Sequence, residues 1–217
     1  RTSLATPHVS GVAALLKAQD PTRDWKTIKN LILAGGDNKS SVANTITGKR
    51  LNANGAMTCS NSVVYSRLRP IGSTINAAVG DPIDLAALNI NCASPNGNVQ
   101  VVVDPGSQIV TLVDDGIGPD QAAGDGIYSA QWTPASGGSF TLTFPSGDVV
   151  TVTIANPLIS VAPSSLDFGS VNLGNSINKN ITVKNIGTGT LNGIATANAP
   201  YIIVSGGSYS VTAGQSK

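Results

Sequence analysis

The chain has 217 residues, a formal net charge of +1 and only 12% charged residues, with 24 glycines and 12 prolines. This length exceeds one ordinary domain of about 100–150 residues, and the glycine and proline content predicts many turns and few long polar helices. The near-neutral charge, with no run of Lys or Arg, excludes the electrostatic footprint of a nucleic-acid partner. No apolar stretch approaches the roughly 20 residues that a membrane span requires.

The two ends of the sequence predict that the natural chain is longer in both directions. Met57 is the only methionine, so Arg1 is not expected to be a translation start. At the other end, residues 208–217 alternate like a strand, and no closing element follows them. We therefore expect an internal fragment of a larger protein.

The first 58 residues carry the spacing of three helices. Apolar positions repeat at helical spacing over 7–19 and again over 25–33, and a brief third helix is expected between Leu51 and Met57. Thr22 or Asp24 could cap the second helix, and two glycines after residue 34 would end it. The apolar positions of the first two helices are Val9, Val12, Ala13, Leu15 and Leu16, then Trp25, Ile28, Leu31 and Ile32.

From about residue 70 onward the pattern is one of strands and turns. Short runs rich in β-branched residues are bounded by Gly, Pro, Asn or Asp, which is typical of β-sandwiches. An Asn-Pro pair breaks the series, so we expect a linker at 155–158 between two successive Ig-like sandwiches, the second truncated. The predicted strands are 99–103, 109–113, 140–144 and 149–154, then 158–161, 166–168, 181–183 and 201–204.

Cys59 and Cys92 are the only cysteines. A chain that is poor in charge and rich in Ser, Thr, Asn and Gly favours an extracellular setting, in which the pair would form a disulfide. Such a bridge closes a loop of about 33 residues and contributes roughly 3–4 kcal/mol on the chain-entropy model. The alternative is two buried free thiols, which are chemically inert.

An acidic segment at residues 114–128 lies between two strand patterns. It contains Asp114, Asp115, Asp120 and Asp125 together with four glycines. Hard oxygen ligands on a glycine-flexed loop suit Ca²⁺, so these four carboxylates are candidate calcium ligands. Asp-Gly pairs are also ordinary hairpin chemistry, and the spacing is not that of an EF-hand. The segment resembles an acidic turn of Ig-like domains appended to secreted bacterial proteins, where it is mainly structural.

The most specific string is Thr-Ser-Leu-Ala-Thr-Pro-His-Val-Ser-Gly at residues 2–11. It resembles the nucleophile motif of subtilisin-like serine proteases, and the helix over 25–33 and the segment 48–53 fit the parts that follow in that family. The resemblance covers residues 1–58. It implies that Ser3 is the catalytic serine and that the general-base His, its orienting Asp and the oxyanion Asn belong to segments before Arg1.

The chemistry of acyl transfer explains such a string. A serine hydroxyl is a weak nucleophile, so it needs a base to take its proton and donors that await the oxyanion. Ser3 is expected just ahead of the first helix, where unpaired N–H groups and the positive dipole end favour negative charge. His8, the sole histidine, is not expected to be the base, because five positions along a helix it faces away from the start.

Two positions depart from the family pattern. Leu4 replaces the usual methionine, a volume-conserving change that should cost little. Arg1 replaces a glycine at a tight backbone position, and it bears on activity more than Leu4 does.

The last part of the chain, residues 158–217, has a pattern of its own. The segments 161–171 and 183–191 resemble an ASH/Hydin-type Ig-like domain, in which Ser-x-Leu-Asp-Phe-Gly is followed by Asn-x-Gly. That resemblance implies a spacer or adhesive module. Phe168 is expected in its core rather than at a binding site.

The predicted fold class is multidomain: a C-terminal helical remnant of an α/β subtilisin-like domain (1–60), an Ig-like β-sandwich (61–155) and a truncated second Ig-like domain (156–217). The predicted function is the C-terminal part of a bacterial subtilisin-like serine endopeptidase, secreted or at the cell surface, that acts on polypeptides. Without its base, the fragment alone should hydrolyse peptides negligibly. Two alternatives are a non-catalytic adhesion or spacer protein and a serine esterase formed by the fragment itself.

A folding expectation follows from the resemblance. The helices of the family pack on a parallel sheet that this sequence does not contain, so Val9, Val12, Leu16 and Leu31 would present an apolar patch. They must dock on the β modules, self-associate or remain disordered. The missing N-terminal catalytic portion of the same chain is their expected natural partner.

Overall fold

The computed structural model describes residues 2–217, and the chain divides into two compact units. Unit 1 comprises residues up to Ile75, Pro82–Thr133 and Phe140–Val152, and unit 2 comprises Asn76–Asp81, Pro134–Ser139 and Thr153–Lys217. The domain boundaries expected from the sequence stay predictions. Arg1, the departure from the family glycine, lies outside the described residues.

Unit 1 begins with three α-helices, α1 (Thr2–Gln19), α2 (Trp25–Ala34) and α3 (Ala53–Met57), with a 3₁₀ turn at Ser40–Val42. The prediction for α2 is confirmed, and its cap is Asp24, whose carboxylate accepts the N–H of Thr27 at 2.8 Å. That hydrogen bond lowers the pKa of Asp24, since it favours the charged carboxylate. The α3 cap is Asn52, which accepts the N–H of Gly55 at 3.0 Å.

Helix α1 begins five residues earlier than predicted. The expected start near residue 7 assumed that Pro7 occupies the first turn, whereas the helix begins at Thr2 and contains Pro7 in its interior. A proline removes a single N–H donor, so a helix can continue through it at a cost in stability. Ser3 consequently lies inside the first turn and not ahead of it.

The strands that follow form two antiparallel layers. One sheet pairs β5 with β3, β6 and β9, and another has the order β4-β11-β10-β7-β8, while β1 pairs only with β2. The four strands predicted between residues 99 and 154 are confirmed as β7, β8, β10 and β11. The first eleven strands are β1 (Asp37–Asn38), β2 (Lys49–Arg50), β3 (Val63–Arg69), β4 (Thr74–Ala78), β5 (Ile83–Asn91), β6 (Ser94–Pro95), β7 (Val99–Asp104), β8 (Gln108–Leu112), β9 (Ile127–Trp132), β10 (Gly138–Thr143) and β11 (Val149–Ala155).

Alternate residues of these strands are buried, as expected when one face of a sheet covers a core. Val99, Val101 and Val103 of β7 are at most 1% exposed, while the neighbouring Gln100 is exposed. Trp132 of β9 and Phe140 of β10 bring the two layers into contact through rings with centroids 5.2 Å apart. The chain is mostly β and compatible with the predicted sandwich architecture.

The helices dock on the first sheet of unit 1. Val12, Leu16 and Leu31 are buried, and Leu16 has no exposed surface, whereas Val9 remains 43% exposed. Ala34 at the end of α2 belongs to a second apolar cluster with Val64, Leu88 and Ile90 of the strands. Of the three outcomes expected for the apolar patch, the structure shows docking for all but Val9.

The predicted disulfide between Cys59 and Cys92 is present, with Cα atoms 5.7 Å apart. It joins the segment after α3 to the end of β5. Cys92 is also buried beside Val12, Leu16, Leu31 and Ala56. The covalent link and the apolar contacts therefore hold the same helices against the same sheet.

Unit 2 contains two separate strand pairs. Strand β12 (Ile159–Ala162) pairs antiparallel with β13 (Thr182–Asn185), and β14 (Thr190–Ile194) pairs with β15 (Ser208–Thr212). The strands expected at 166–168 and 201–204 are wrong, because a segment of strand-like composition forms a strand only where a neighbouring strand pairs with it. Ile202 and Val204 are accordingly 80% and 70% exposed. Among the described residues, no helix is long and apolar enough to cross a membrane.

Candidate functional site

Ser3 lies in the first turn of the 18-residue helix α1, and its side chain is exposed. The first four N–H groups of a helix have no partner within it, and the dipole there is positive. The position therefore offers donors to an anion that forms beside Ser3. Its role as nucleophile stays a prediction.

Within residues 2–217, the sole histidine lies along the same helix as Ser3. His8 is five residues further along α1, which corresponds to about 140° around the helix axis and roughly 7.5 Å along it. Both side chains are exposed, and neither forms a side-chain hydrogen bond with any described residue. The exclusion of His8 as the general base stays a prediction.

A second apolar stripe runs along α1, on a face that nothing described covers. Leu4, His8, Gly11 and Leu15 follow one another at the three- and four-residue spacing of one helix face, and all four are exposed. A Cβ built on Gly11 meets no atom within 4 Å. No described residue therefore packs closely against Gly11.

The acidic turn, defined here as residues 114–127, brings together three of the four predicted calcium ligands. Asp114, Asp120 and Asp125 each offer a carboxylate oxygen within 4.8 Å of the others, and Asp115 is not part of this group. Asp120 and Asp125 are 4% and 6% exposed. Calcium binding stays a prediction, which calorimetric titration of the chain with Ca²⁺ would test.

Backbone N–H groups of the acidic turn donate hydrogen bonds to its own carboxylates. Asp114 accepts from the N–H of Asp125 at 3.1 Å and from that of Gly126 at 2.8 Å. Asp120 accepts from Gly116 at 2.5 Å. Such bonds fix the shape of the turn.

A cavity of about 360 Å³ opens beside the acidic turn. Asp120, Asp125 and Asp84 contribute negative charge to its wall, and Arg69 contributes positive charge. The remaining lining residues are Leu68, Ile71, Leu85, Ala86, Pro119, Gln121, Ile127 and Ser129. The cavity is separate from Ser3 in sequence, and the sequence patterns gave no signal for it.

Two buried polar atoms of unit 1 have no hydrogen-bond partner among the described residues, the Tyr65 hydroxyl and Oδ1 of Asn30. Burial raises the pKa of Tyr65 to about 12, and the charge of nearby Asp148 acts in the same direction. The folded-state pKa is above the usual 10.0, so the neutral phenol is favoured and the associated stability is lost as pH rises from 10 to 12. Neither residue stands out in the sequence.

The comparisons with known proteins support the class expected from the nucleophile motif. Residues 1–48 match the family model described as the Subtilase family. This part of the chain is therefore related to subtilases, which are serine peptidases.

The remaining comparisons add little. No curated protein matches the chain. A solved structure described as a chaperone–tip adhesin complex vital for activation of CFA/I fimbriae biogenesis aligns with 12% identity, covering 73% of this chain and 87% of the other. Its TM-score of 0.22 is too low to establish a shared fold.

Proposed function

We propose that this chain is the C-terminal part of a secreted subtilisin-like serine endopeptidase, in which Ser3 is the nucleophile. The Subtilase match over residues 1–48 carries the proposal. The disulfide supports an oxidising, extracellular compartment. Ig-like modules, the last of the ASH/Hydin type, follow the catalytic part.

The two-sided burial pattern of α1 supports a catalytic domain completed by another segment. One face of the helix, with Val12 and Leu16, packs in unit 1, and the stripe of Leu4, Gly11 and Leu15 remains open. A helix that is apolar on two faces is typical of the interior of a larger domain. The upstream catalytic portion of the same protein would cover the open stripe.

In the completed site, Ser3 attacks the carbonyl carbon of a peptide bond and an upstream histidine accepts the hydroxyl proton. The carbonyl oxygen becomes an oxyanion, and the N–H groups of the first turn of α1 donate hydrogen bonds to it. The amine leaves with the proton returned by the histidine, and water then hydrolyses the acyl-enzyme. The described residues supply the nucleophile and the helix end only.

Peptide hydrolysis by the chain extended upstream tests this proposal. Ser3→Ala should lower kcat by about a million-fold, the size of effect known for subtilisin itself, while the matched change Ser10→Ala on the same helix should leave kcat nearly unchanged. The 217-residue chain should show no turnover above its own Ser3→Ala variant. Full activity of the extended Ser3→Ala variant would refute Ser3 as the nucleophile. No peptide hydrolysis by the folded, unsubstituted extended chain would favour an adhesion or spacer protein.

Gly11 provides an independent test of the open stripe. In the 217-residue chain, Gly11→Ala should raise the free energy of unfolding of unit 1 by about 0.5–1 kcal/mol, because alanine favours the helix and the built Cβ meets no atom. Denaturant titration followed by tryptophan fluorescence measures it. In the extended chain the same change should impair folding, since the upstream portion packs there. Equal effects in both chains would contradict the covered stripe.

A further inference from the structure

A second, partly buried face of helix α2 meets the acidic turn. The ammonium group of Lys29 donates to the Asp125 carbonyl at 2.7 Å and to its carboxylate Oδ2 at 3.0 Å. Lys26, three residues earlier, donates to the carbonyl of Ala123 at 2.5 Å. The side chains of the ion pair are 27% and 9% exposed, so the attraction is screened less than at an open surface.

The contact continues beyond the two lysines. Asn30 is fully buried and donates from Nδ2 to the carbonyl of Ala93 at 3.2 Å. Gly126 faces the same amide: a Cβ built on Gly126 would lie 3.5 Å from Asn30 Nδ2 and would overlap with the Ile90 side chain. A glycine is required here because of Ile90 of β5 and the φ of +85°, whereas the distance to Asn30 of α2 is an ordinary van der Waals contact.

The acidic turn is organised by its own hydrogen bonds. Asp114 holds the N–H groups of residues 125 and 126, and Asp125 Oδ1 accepts the N–H of Ile127 at 2.8 Å. A surface whose shape is already fixed loses little conformational entropy when α2 packs against it. The remaining carboxylate oxygen, Oδ2 of Asp125, is the one that Lys29 contacts.

The opposite face of α2 transmits this contact to the helix of Ser3. Leu31 packs in one cluster with Val12 and Leu16 of α1, and Ile28 of α2 contacts the same cluster. The position of α1 on unit 1 therefore depends on where α2 is held. The Cys59–Cys92 bridge restrains α3 but makes no bond to α2 itself.

We propose that the acidic turn is the surface on which helix α2 docks. Lys29 is then a positioning residue for α1, the helix that carries Ser3. The strands of unit 1 then hold the catalytic helices in place and are not an independent spacer. The link to Ser3 as nucleophile rests on the proposed function. The docking of α2 does not depend on it.

Hydrogen exchange of the 217-residue chain, measured by mass spectrometry, tests whether α2 docks on the acidic turn. Lys29→Met keeps the length of the side chain and removes its charge, and Asp125→Asn keeps the acceptor of the Ile127 N–H. Each should speed exchange of α2 and α1 by about tenfold, the equivalent of one lost half-buried charge interaction. Lys29→Arg should restore protection, and Lys39→Met, a change at an exposed lysine, should leave both helices unchanged.

The outcomes separate cleanly. Unchanged exchange of α1 and α2 in both Lys29→Met and Asp125→Asn would overturn the proposal, and so would equal acceleration in β7 and β10, which would indicate global destabilisation. If Lys29→Met does not fold, the milder Lys26→Met variant replaces it. Hydrogen exchange in this variant should be faster in α2 than in the unsubstituted chain, and the strands should change less. Because the measurement reads backbone exchange, its result is independent of whether Ser3 is a nucleophile.

Discussion

Replacing Leu16 with alanine is expected to lower the free energy of unfolding of unit 1 by about 2–5 kcal/mol. Leu16 has no exposed surface and lies in the cluster that joins α1 to Leu31, Ala56 and Cys92. Truncation removes buried methyl groups and leaves a cavity that the disulfide-linked surroundings can fill only in part. Helix α1 should therefore lose much of its hold on the sheet.

The neighbouring residue supplies the matched control. Leu15 lies on the same helix and is 49% exposed, so Leu15→Ala should change stability by less than about 0.5 kcal/mol. Trp25 and Trp132, the two tryptophans, both belong to unit 1, so their fluorescence in a denaturant titration reports its unfolding. Equal destabilisation by the two variants would show that α1 is not docked as the structure has it.

Removing the disulfide should have an effect of similar size. The double change Cys59→Ala and Cys92→Ala is expected to reduce the free energy of unfolding by about 3–4 kcal/mol, because the bond closes a loop between residues 33 positions apart. Alanine avoids placing hydroxyl groups beside the buried cluster at Cys92. Denaturant midpoints measured with and without a thiol reductant give the value.

Reductant provides the control for this prediction. Reductant should shift the denaturant midpoint of the unsubstituted 217-residue chain toward that of the double-alanine variant. The midpoint of the variant itself should not change. Complete reduction is verified by thiol titration. An unchanged denaturant midpoint of the fully reduced, unsubstituted chain would contradict stabilisation by the Cys59–Cys92 bond.

Local signals predicted much of the fold. Helix α2 was predictable because Asp24 caps it, apolar residues repeat along one face and Gly35 follows it. Strands β7 and β11 were predictable because β-branched residues dominate them and turn residues bound them. In each case the information lies within one element, so no knowledge of its neighbours is needed.

Other features depend on contacts that the sequence does not reveal. Trp25 fits the apolar face of α2 by spacing, yet it is 57% exposed, with the Lys29 ammonium 5.7 Å from its ring. Pairing of Lys29 with Asp125 joins residues 96 positions apart, and no local pattern indicates it. The runs at 166–168 and 201–204 have strand composition but no pairing partner in unit 2.

The candidate site divides in the same way. The prediction of Ser3 as nucleophile needs no structure, because the residues of the motif are contiguous. In a catalytic triad the base lies far along the chain from the nucleophile, so a contiguous motif does not reveal it. The three acidic residues that gather at the turn were predictable as a group, whereas the exclusion of Asp115 from them depended on the loop geometry.

Labelling of Ser3 by a fluorophosphonate, located by mass spectrometry, tests the central claim most directly. The account predicts rapid stoichiometric labelling of Ser3 in the chain extended upstream, and labelling of the 217-residue chain no faster than that of its Ser3→Ala variant. Rapid labelling of Ser3 in the 217-residue chain would show that the base lies within these residues. No labelling of the extended, folded chain would contradict the assignment of Ser3 as a nucleophile.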